Sequence, residues 1–295
     1  MATAIVLLCV SAAAHAVWNL MGKGRTPSLT FFAAAEGAMG VIGLLAWPWT
    51  LPLLSGVPVR FWWLLALSCA CQAAYYAGLA AAYRRNDLSA AYPLVRALPV
   101  ALLTAAAGSL GWRPLSEPAV LGVVLIVLGC FCVPLVSWSA WRGVLGGLGQ
   151  PAILVTALFS AIYTGIDASL TAMAMTASGM SGVLALASVM VVGNGIGCSV
   201  LAAALPGERR QLSIDRAILP RAMLAGAGIW LSYGTALLAL PLVGNPGYVT
   251  AFRQLSIPLG VVLGVLILRE RPSPQRQAGV AVIVAGLLLL ALAPR

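Results

Sequence analysis

The sequence predicts an all-α membrane protein, with ten transmembrane helices built as two inverted five-helix repeats. Three observations carry that expectation. The chain is 61% hydrophobic and 8% charged, with a mean hydropathy of +1.00 over 295 residues. A soluble domain carries about 25% charged residues, and one of this length has no interior large enough for so much apolar surface. The apolar residues fall into runs long enough to cross a bilayer as helices, which takes ~20 residues each. A stretch near the C-terminus also repeats one near the middle at a constant offset of 157 positions.

The expected segments are residues 2–22, 28–47, 61–83, 89–109, 117–137, 150–172, 181–204, 217–240, 246–268 and 274–293. The first has no Lys or Arg ahead of its apolar run, so it reads as a retained helix rather than a signal peptide, despite Ala14-x-Ala16. Arg25-Thr26-Pro27 separates it from the second. Arg84-Arg85-Asn86-Asp87 closes the third, and Trp112-Arg113-Pro114 lies between the fourth and fifth. Pro206-Gly207-Glu208-Arg209-Arg210 closes the seventh, and Arg269-Glu270-Arg271-Pro272-Ser273 the ninth. Charge marks the edge of the lipid, and proline breaks a helical run. The runs are too long for barrel strands and lack their alternation. No connection is long enough for a separate domain. Residues 1–140 form the first expected repeat and 141–295 the second, within one bundle.

The duplication rests on residues less common than Leu or Val. Arg96 falls on Arg253, Ser116 on Ser273, Gly122 on Gly279 and Gly129 on Gly286, with Tyr76 on Tyr233 at the same offset. Aligning the first segment on the sixth pairs His15 with Ser160, Trp18 with Tyr163 and Asn19 with Thr164; aligning the second on the seventh puts Glu36-Gly37 on Asn194-Gly195. Five segments per copy is an odd number, so the second copy enters the membrane from the opposite side. A site between such halves opens alternately to each face.

Charge and cysteine usage exclude several classes. The net charge of +10 sits at segment ends and does not point to nucleic acid. Loops after odd-numbered segments hold twelve basic residues, and those after even-numbered segments, with the C-terminus, hold three (Arg60, Arg113 and Arg295), which places both termini outside. The six cysteines lie inside apolar segments, and with one histidine in the chain no zinc or haem ligand set assembles. No cofactor is expected. Gly193-x-Gly195-x-Gly197 sits mid-segment with no strand before it and reads as close helix packing.

The elbow Leu268-Arg269-Glu270-Arg271-Pro272-Ser273 before Gly279-Val280-x-Val282-Ile283-Val284-Ala285-Gly286, with the opening His15-Ala16-Val17-Trp18-Asn19 and Lys23, resembles EamA-type transporters of the drug/metabolite transporter superfamily. The first half departs from the pattern by lacking the glutamate of that elbow. The resemblance implies secondary transport of amino acids, amines, drugs or sugar derivatives, and termini in the cytoplasm, opposite to the charge count.

Polar residues inside apolar spans are costly and mark function. His15, Trp18 and Asn19 share one helical face, as do Ser160, Tyr163, Thr164 and Asp167, and Gln72 with Tyr75 and Tyr76. Trp230 and Tyr233 add a fourth stripe. We therefore expect His15, Trp18, Asn19, Gln72, Tyr75, Tyr76, Tyr163, Asp167, Trp230 and Tyr233 to form a substrate-binding cavity. Glu36, Arg96, Asn194 and Arg253 are the expected coupling or gating residues, Glu36 for protons or as an ion-pair partner of an arginine. Aromatics with a carboxylate suit an amine, and arginines suit a carboxylate or phosphonate; a zwitterion answers both. The expected activity is secondary-active export of a small amphipathic metabolite across a bacterial-type inner membrane, with protons as candidate coupling ion and a monomer sufficient. A lipid-linked-sugar translocase or facilitative channel is the alternative. An enzyme is disfavoured, because the single His has no nucleophile or metal set beside it.

Overall fold

The computed structural model describes residues 2–22, 28–85, 88–135, 137–142, 150–209 and 219–293. They are helical almost throughout. α1 spans Ala2–Gly22 and α2 Leu29–Thr50; Ser28 caps α2, its side chain accepting from the Phe31 amide, and a short 3₁₀ turn, Leu51–Leu54, continues it. α3 is Val59–Arg85, α4 Leu88–Ala106 and α5 Glu117–Cys132, the last with proline in its first turn. α6 is Pro151–Ala204, followed by the single turn α7, Pro206–Arg209. α8 is Leu219–Val243 and α9 Pro246–Phe252, capped by the Asn245 side chain on the Tyr248 amide. After a 3₁₀ turn at Arg253–Leu255 come α10, Ser256–Leu268, and α11, Pro274–Leu292. α10 stops where Arg269 turns left-handed (φ 56°), and Ser273 caps α11.

The expected ten transmembrane helices are not found among the described residues. Among the described residues six stretches are long and apolar enough to cross a membrane: Leu29–Leu54, Val59–Ala82, Pro151–Ala204, Leu219–Val243, Pro246–Ile267 and Pro274–Leu292. α5, Glu117–Cys132, is shorter than the ~20 residues a span needs, and the described apolar side chains of α1 and α4 cover Ala2–Trp18 and Val95–Ala106. Residues 150–172 and 181–204, expected as separate helices, lie in one helical stretch, Pro151–Ala204, whose backbone leaves helical geometry only at Ser178 and Gly179. The physical reason is in the residues: between Asp167 and Pro206 the chain has neither charge nor proline, so no polar loop parts the two, and the break is confined to Ser178-Gly179. Without ten helices, the five-plus-five inverted arrangement that rested on them is withdrawn. An all-helical fold with several apolar helices stands, compatible with a membrane protein.

α6 is nevertheless bent sharply. Ser178 (φ −147°, ψ 26°) and Gly179 (φ 60°, ψ −146°) leave helical geometry. Gly182 comes against the Ala174 backbone, whereas a straight helix would hold residues eight apart at ~12 Å. Two arms result. Along the first, Asp167 meets Ser68 and Thr156 meets Gly78, antiparallel to α3; along the second, Met190 and Gly197 both meet Cys69, with Gly197 also reaching Ala73, running parallel to it. Ser178 Oγ donates to the Leu53 carbonyl at 2.7 Å and ties the crease to the end of α2.

Glycines set how closely the helices approach. Gly193 lies on Cys69, Gly195 on the Glu36-Gly37 backbone, and Gly197 on Cys69 and Ala73, so the three serve contact between α6, α2 and α3. α5 and α11 pack antiparallel: a Cβ on Gly122 would stand 2.7 Å from the Gly286 carbonyl, and one on Gly129 2.7 Å from that of Gly279. The residues aligned by the 157-residue offset thus meet crosswise. α1 packs antiparallel on α8, where Ser11 Oγ donates to the Ser232 carbonyl at 2.6 Å and Gly228 faces Trp18.

Candidate functional site

A cavity opens between α1, α2, α3, α4, both arms of α6, α8 and the α9 turn, with about 870 Å³ of empty space including its mouth. Twelve of the fourteen expected residues line it: His15, Trp18, Glu36, Gln72, Tyr75, Tyr76, Arg96, Tyr163, Asn194, Trp230, Tyr233 and Arg253. Asp167 lies behind the wall, fully buried, and is joined to it through Tyr233. The Asn19 side chain, like Lys23, lies outside the described residues.

The aromatic wall is continuous. Phe32 stacks on Tyr76 with ring centroids 4.6 Å apart; Tyr76 meets Tyr75 at 5.1 Å, Tyr75 meets Tyr163 at 5.6 Å, and Tyr163 meets Tyr233 at 6.2 Å. Edge-to-face pairs of this kind add to the packing of each ring. His15 and Trp18, one helical turn apart, join the wall, with Trp18 Nε1 donating to His15 Nδ1 at 3.3 Å.

The charges of this wall are carried by different elements. Tyr76 donates its hydroxyl to Glu36 Oε1 at 2.6 Å, which gives the buried carboxyl a donor within the apolar helix pair. Arg96 on α4 reaches the turn after α9: its guanidinium donates to Gln254 Oε1 at 3.3 Å, the Arg253 carbonyl at 3.1 Å and Ser256 Oγ at 3.4 Å. Gln254 returns a bond to the Arg96 carbonyl at 3.3 Å. Arg253 Nη2 donates to Ser232 Oγ at 3.2 Å, and its guanidinium lies 6.0 Å from the Tyr233 ring centre. The two arginines therefore converge on one side. A 3₁₀ turn there, in place of continuous helix, points Arg253 inward and Gln254 toward α4.

A third group is a chain of neutral donors and acceptors ending on Asp167. Asn194 Nδ2 donates to Gln72 Oε1 at 3.0 Å, Gln72 Nε2 to the Tyr233 hydroxyl at 3.2 Å, and Tyr233 to Asp167 Oδ2; Ser68 donates to Asp167 Oδ1 at 2.5 Å. It joins both arms of α6 through α3 and α8.

Sequence reasoning missed Glu208. It is buried in the turn α7, where Oε1 accepts from Arg84 at 2.5 Å and Oε2 accepts from the Thr30 amide at 3.1 Å. This latch ties the start of α2, the end of α3 and the end of α6. Its signal in the sequence is one acidic residue in a basic connection, Pro206-Gly207-Glu208-Arg209-Arg210, which by spacing marks only a boundary. Ser68, Ser232 and Gln254 were also missed, since small polar residues carry no periodic signal.

The arrangement suits reversible binding of a small polar molecule between aromatic faces, with a cationic and an acidic side. Among the described residues no three His, Cys, Asp or Glu side chains gather as a metal site. No family model and no curated relative matches the chain. Fifteen chains of solved structures do match. One, a crystal structure, superposes with a TM-score of 0.71 over 99% of both chains at 14% identity. The chain therefore shares the fold of a solved structure across essentially its full length.

Proposed function

We propose that this chain is a secondary-active transporter that moves a small zwitterionic or amphipathic metabolite, of the amino acid or amine class, across a membrane by alternating access. The observation that carries the reading is the aromatic cavity with Glu36 on α2 and Arg96 and Arg253 on α4 and the turn after α9, several of whose enclosing helices are apolar enough to span a bilayer. A substrate ammonium fits between the aromatic faces and the carboxyl; a carboxylate or phosphonate fits a guanidinium fork. The resemblance to EamA-type transporters of the drug/metabolite superfamily supports the same class, with export across a bacterial-type inner membrane and protons as coupling ion.

The test is a thermal-shift screen of purified protein against amino acids, amines and phosphonates, followed by flux in proteoliposomes. A ligand at one hundred times its dissociation constant stabilises the folded state by about 2.7 kcal/mol, a readily measured rise in melting temperature. We expect the best ligand to be transported and to compete poorly once its ammonium or its acid group is removed. Transport that ignores both groups would overturn the reading.

A further inference from the structure

The bonds around Asp167 form a chain with a direction. The carboxylate accepts from Ser68 at 2.5 Å and from Tyr233. A tyrosine that gives its proton to a carboxylate can only accept at its oxygen, and there Gln72 Nε2 donates at 3.2 Å. Gln72 must then turn its carbonyl the other way, where it accepts from Asn194 Nδ2 at 3.0 Å. The Asn194 carbonyl oxygen is left over. It is buried, belongs to a residue that lines the cavity, and has no donor among the described residues. A buried acceptor of this kind is costly until something supplies an N–H or O–H.

We propose that Asn194 Oδ1 is the subsite for a donor group of the carried molecule, an ammonium or hydroxyl, and that Asp167 sets its polarity through Tyr233 and Gln72. The ligand assignment rests on the transporter reading; the relay rests on hydrogen bonds alone. When Asp167 takes a proton from the medium, its carboxyl donates to the Tyr233 oxygen and Tyr233 donates toward Gln72. The Gln72 amide turns its carbonyl to Tyr233 and its NH₂ to Asn194. Asn194 turns in the same sense and presents NH₂ to the cavity. The added proton stays on Asp167, and every other step is a rotation. Acceptor becomes donor, and an ammonium held there is expelled.

The groups around Asp167 are compatible with this. Cys69 and Cys71 on α3 and Tyr163 on its own arm lie within electrostatic reach. Tyr233 on α8 carries Arg253 over its ring, while Arg96 on α4 and Glu36 on α2 line the cavity beyond. The arginines stay charged throughout. Glu36 belongs to a separate contact with Tyr76.

Infrared difference spectroscopy of the ligand-free, purified full chain tests the relay. On acidification we expect a carboxylic-acid band and, in the same titration, a shift of side-chain amide carbonyl bands. Asp167→Asn removes the amide shift and its own component of the acid band, while the other carboxyls of the chain still titrate. Tyr233→Phe and Gln72→Met each keep the acid band, which also shows that the site is folded, and lose the amide shift. Glu36→Gln leaves that shift in place. An amide shift that survives Tyr233→Phe, or wild-type protein without a coupled shift, overturns the relay. The ligand class is tested with 2-phenylethylamine and 3-phenylpropionate, read by cavity tryptophan fluorescence. We expect the amine to bind about tenfold more weakly below the Asp167 transition, with that dependence absent in Tyr233→Phe. An amine that fails to bind at any pH, with the infrared relay intact, overturns the ligand assignment and not the relay.

Discussion

Glu36 is the eighth residue of the apolar helix α2 and accepts from the Tyr76 hydroxyl at 2.6 Å. Its position in the sequence already marked it as costly, and the structure supplies the group that offsets the cost. Removing that donor leaves a buried carboxyl short of a partner, a loss of about 1–3 kcal/mol. Tyr76→Phe is therefore expected to lower stability by that amount, while Glu36→Gln keeps an acceptor for Tyr76 and costs less; chemical or thermal unfolding in detergent gives both values. Should Glu36 couple protons, Glu36→Gln will also make flux in proteoliposomes insensitive to a pH gradient. Helical spacing made the lining legible at this scale. Trp18, Tyr76, Tyr163 and Tyr233 stood out because large amphipathic rings recur on one face of otherwise aliphatic runs. Asp167 stood out equally and lies behind the cavity, because periodicity gives a face of a helix and not the depth of a side chain behind its neighbours.

Two elements depend on glycine for different reasons. At Gly179 a methyl group would meet nothing within 4 Å, yet the residue holds φ 60° and ψ −146°, a region nearly closed to other residues. Gly179→Ala is expected to cost about 1–3 kcal/mol through backbone strain alone. Gly129 and Gly286 have ordinary helical backbones but lie against α11 and α5 at contact distance. There Gly129→Ala overpacks the crossing at a similar cost of about 1–3 kcal/mol. Pairing Gly129→Ala with Gly279→Ala, its direct neighbour, tests this further: the double variant will fall short of the sum of the singles, because the first already separates the helices. Unfolding midpoints distinguish these outcomes. The bend at Ser178-Gly179 falls between the expected segments 150–172 and 181–204, but its tight form was not legible, because two small residues in an apolar run look the same whether a helix continues through them or folds back. Helix type was legible throughout, while helix ends were not: α5 stops at Cys132 although the apolar run goes on past it.

For the molecule as a whole, the latch at Glu208 joins three helix ends around a buried carboxylate. Arg84 is 47% exposed at its side chain, so its ion pair contributes under about 1 kcal/mol. The Thr30 amide is buried and loses its acceptor when Glu208 is removed, which costs about 1–3 kcal/mol. Glu208→Ala is accordingly expected to destabilise more than Arg84→Ala. It will also raise hydrogen exchange at the start of α2 before elsewhere. Such a contact between helices distant in sequence could not be read from spacing, since 178 residues separate Thr30 from Glu208.

Six free thiols are distributed through the helices, and Cys69 is the best placed of them. It lies in the seam where α3 meets the second arm of α6, its sulfur facing the Met190 carbonyl and Gly193. An alkylating reagent reaches it only when those helices part. The native chain thus carries its own chemical clock: the labelling rate of Cys69, slowed by a bound ligand or quickened by one, reports separation of the seam without any introduced probe.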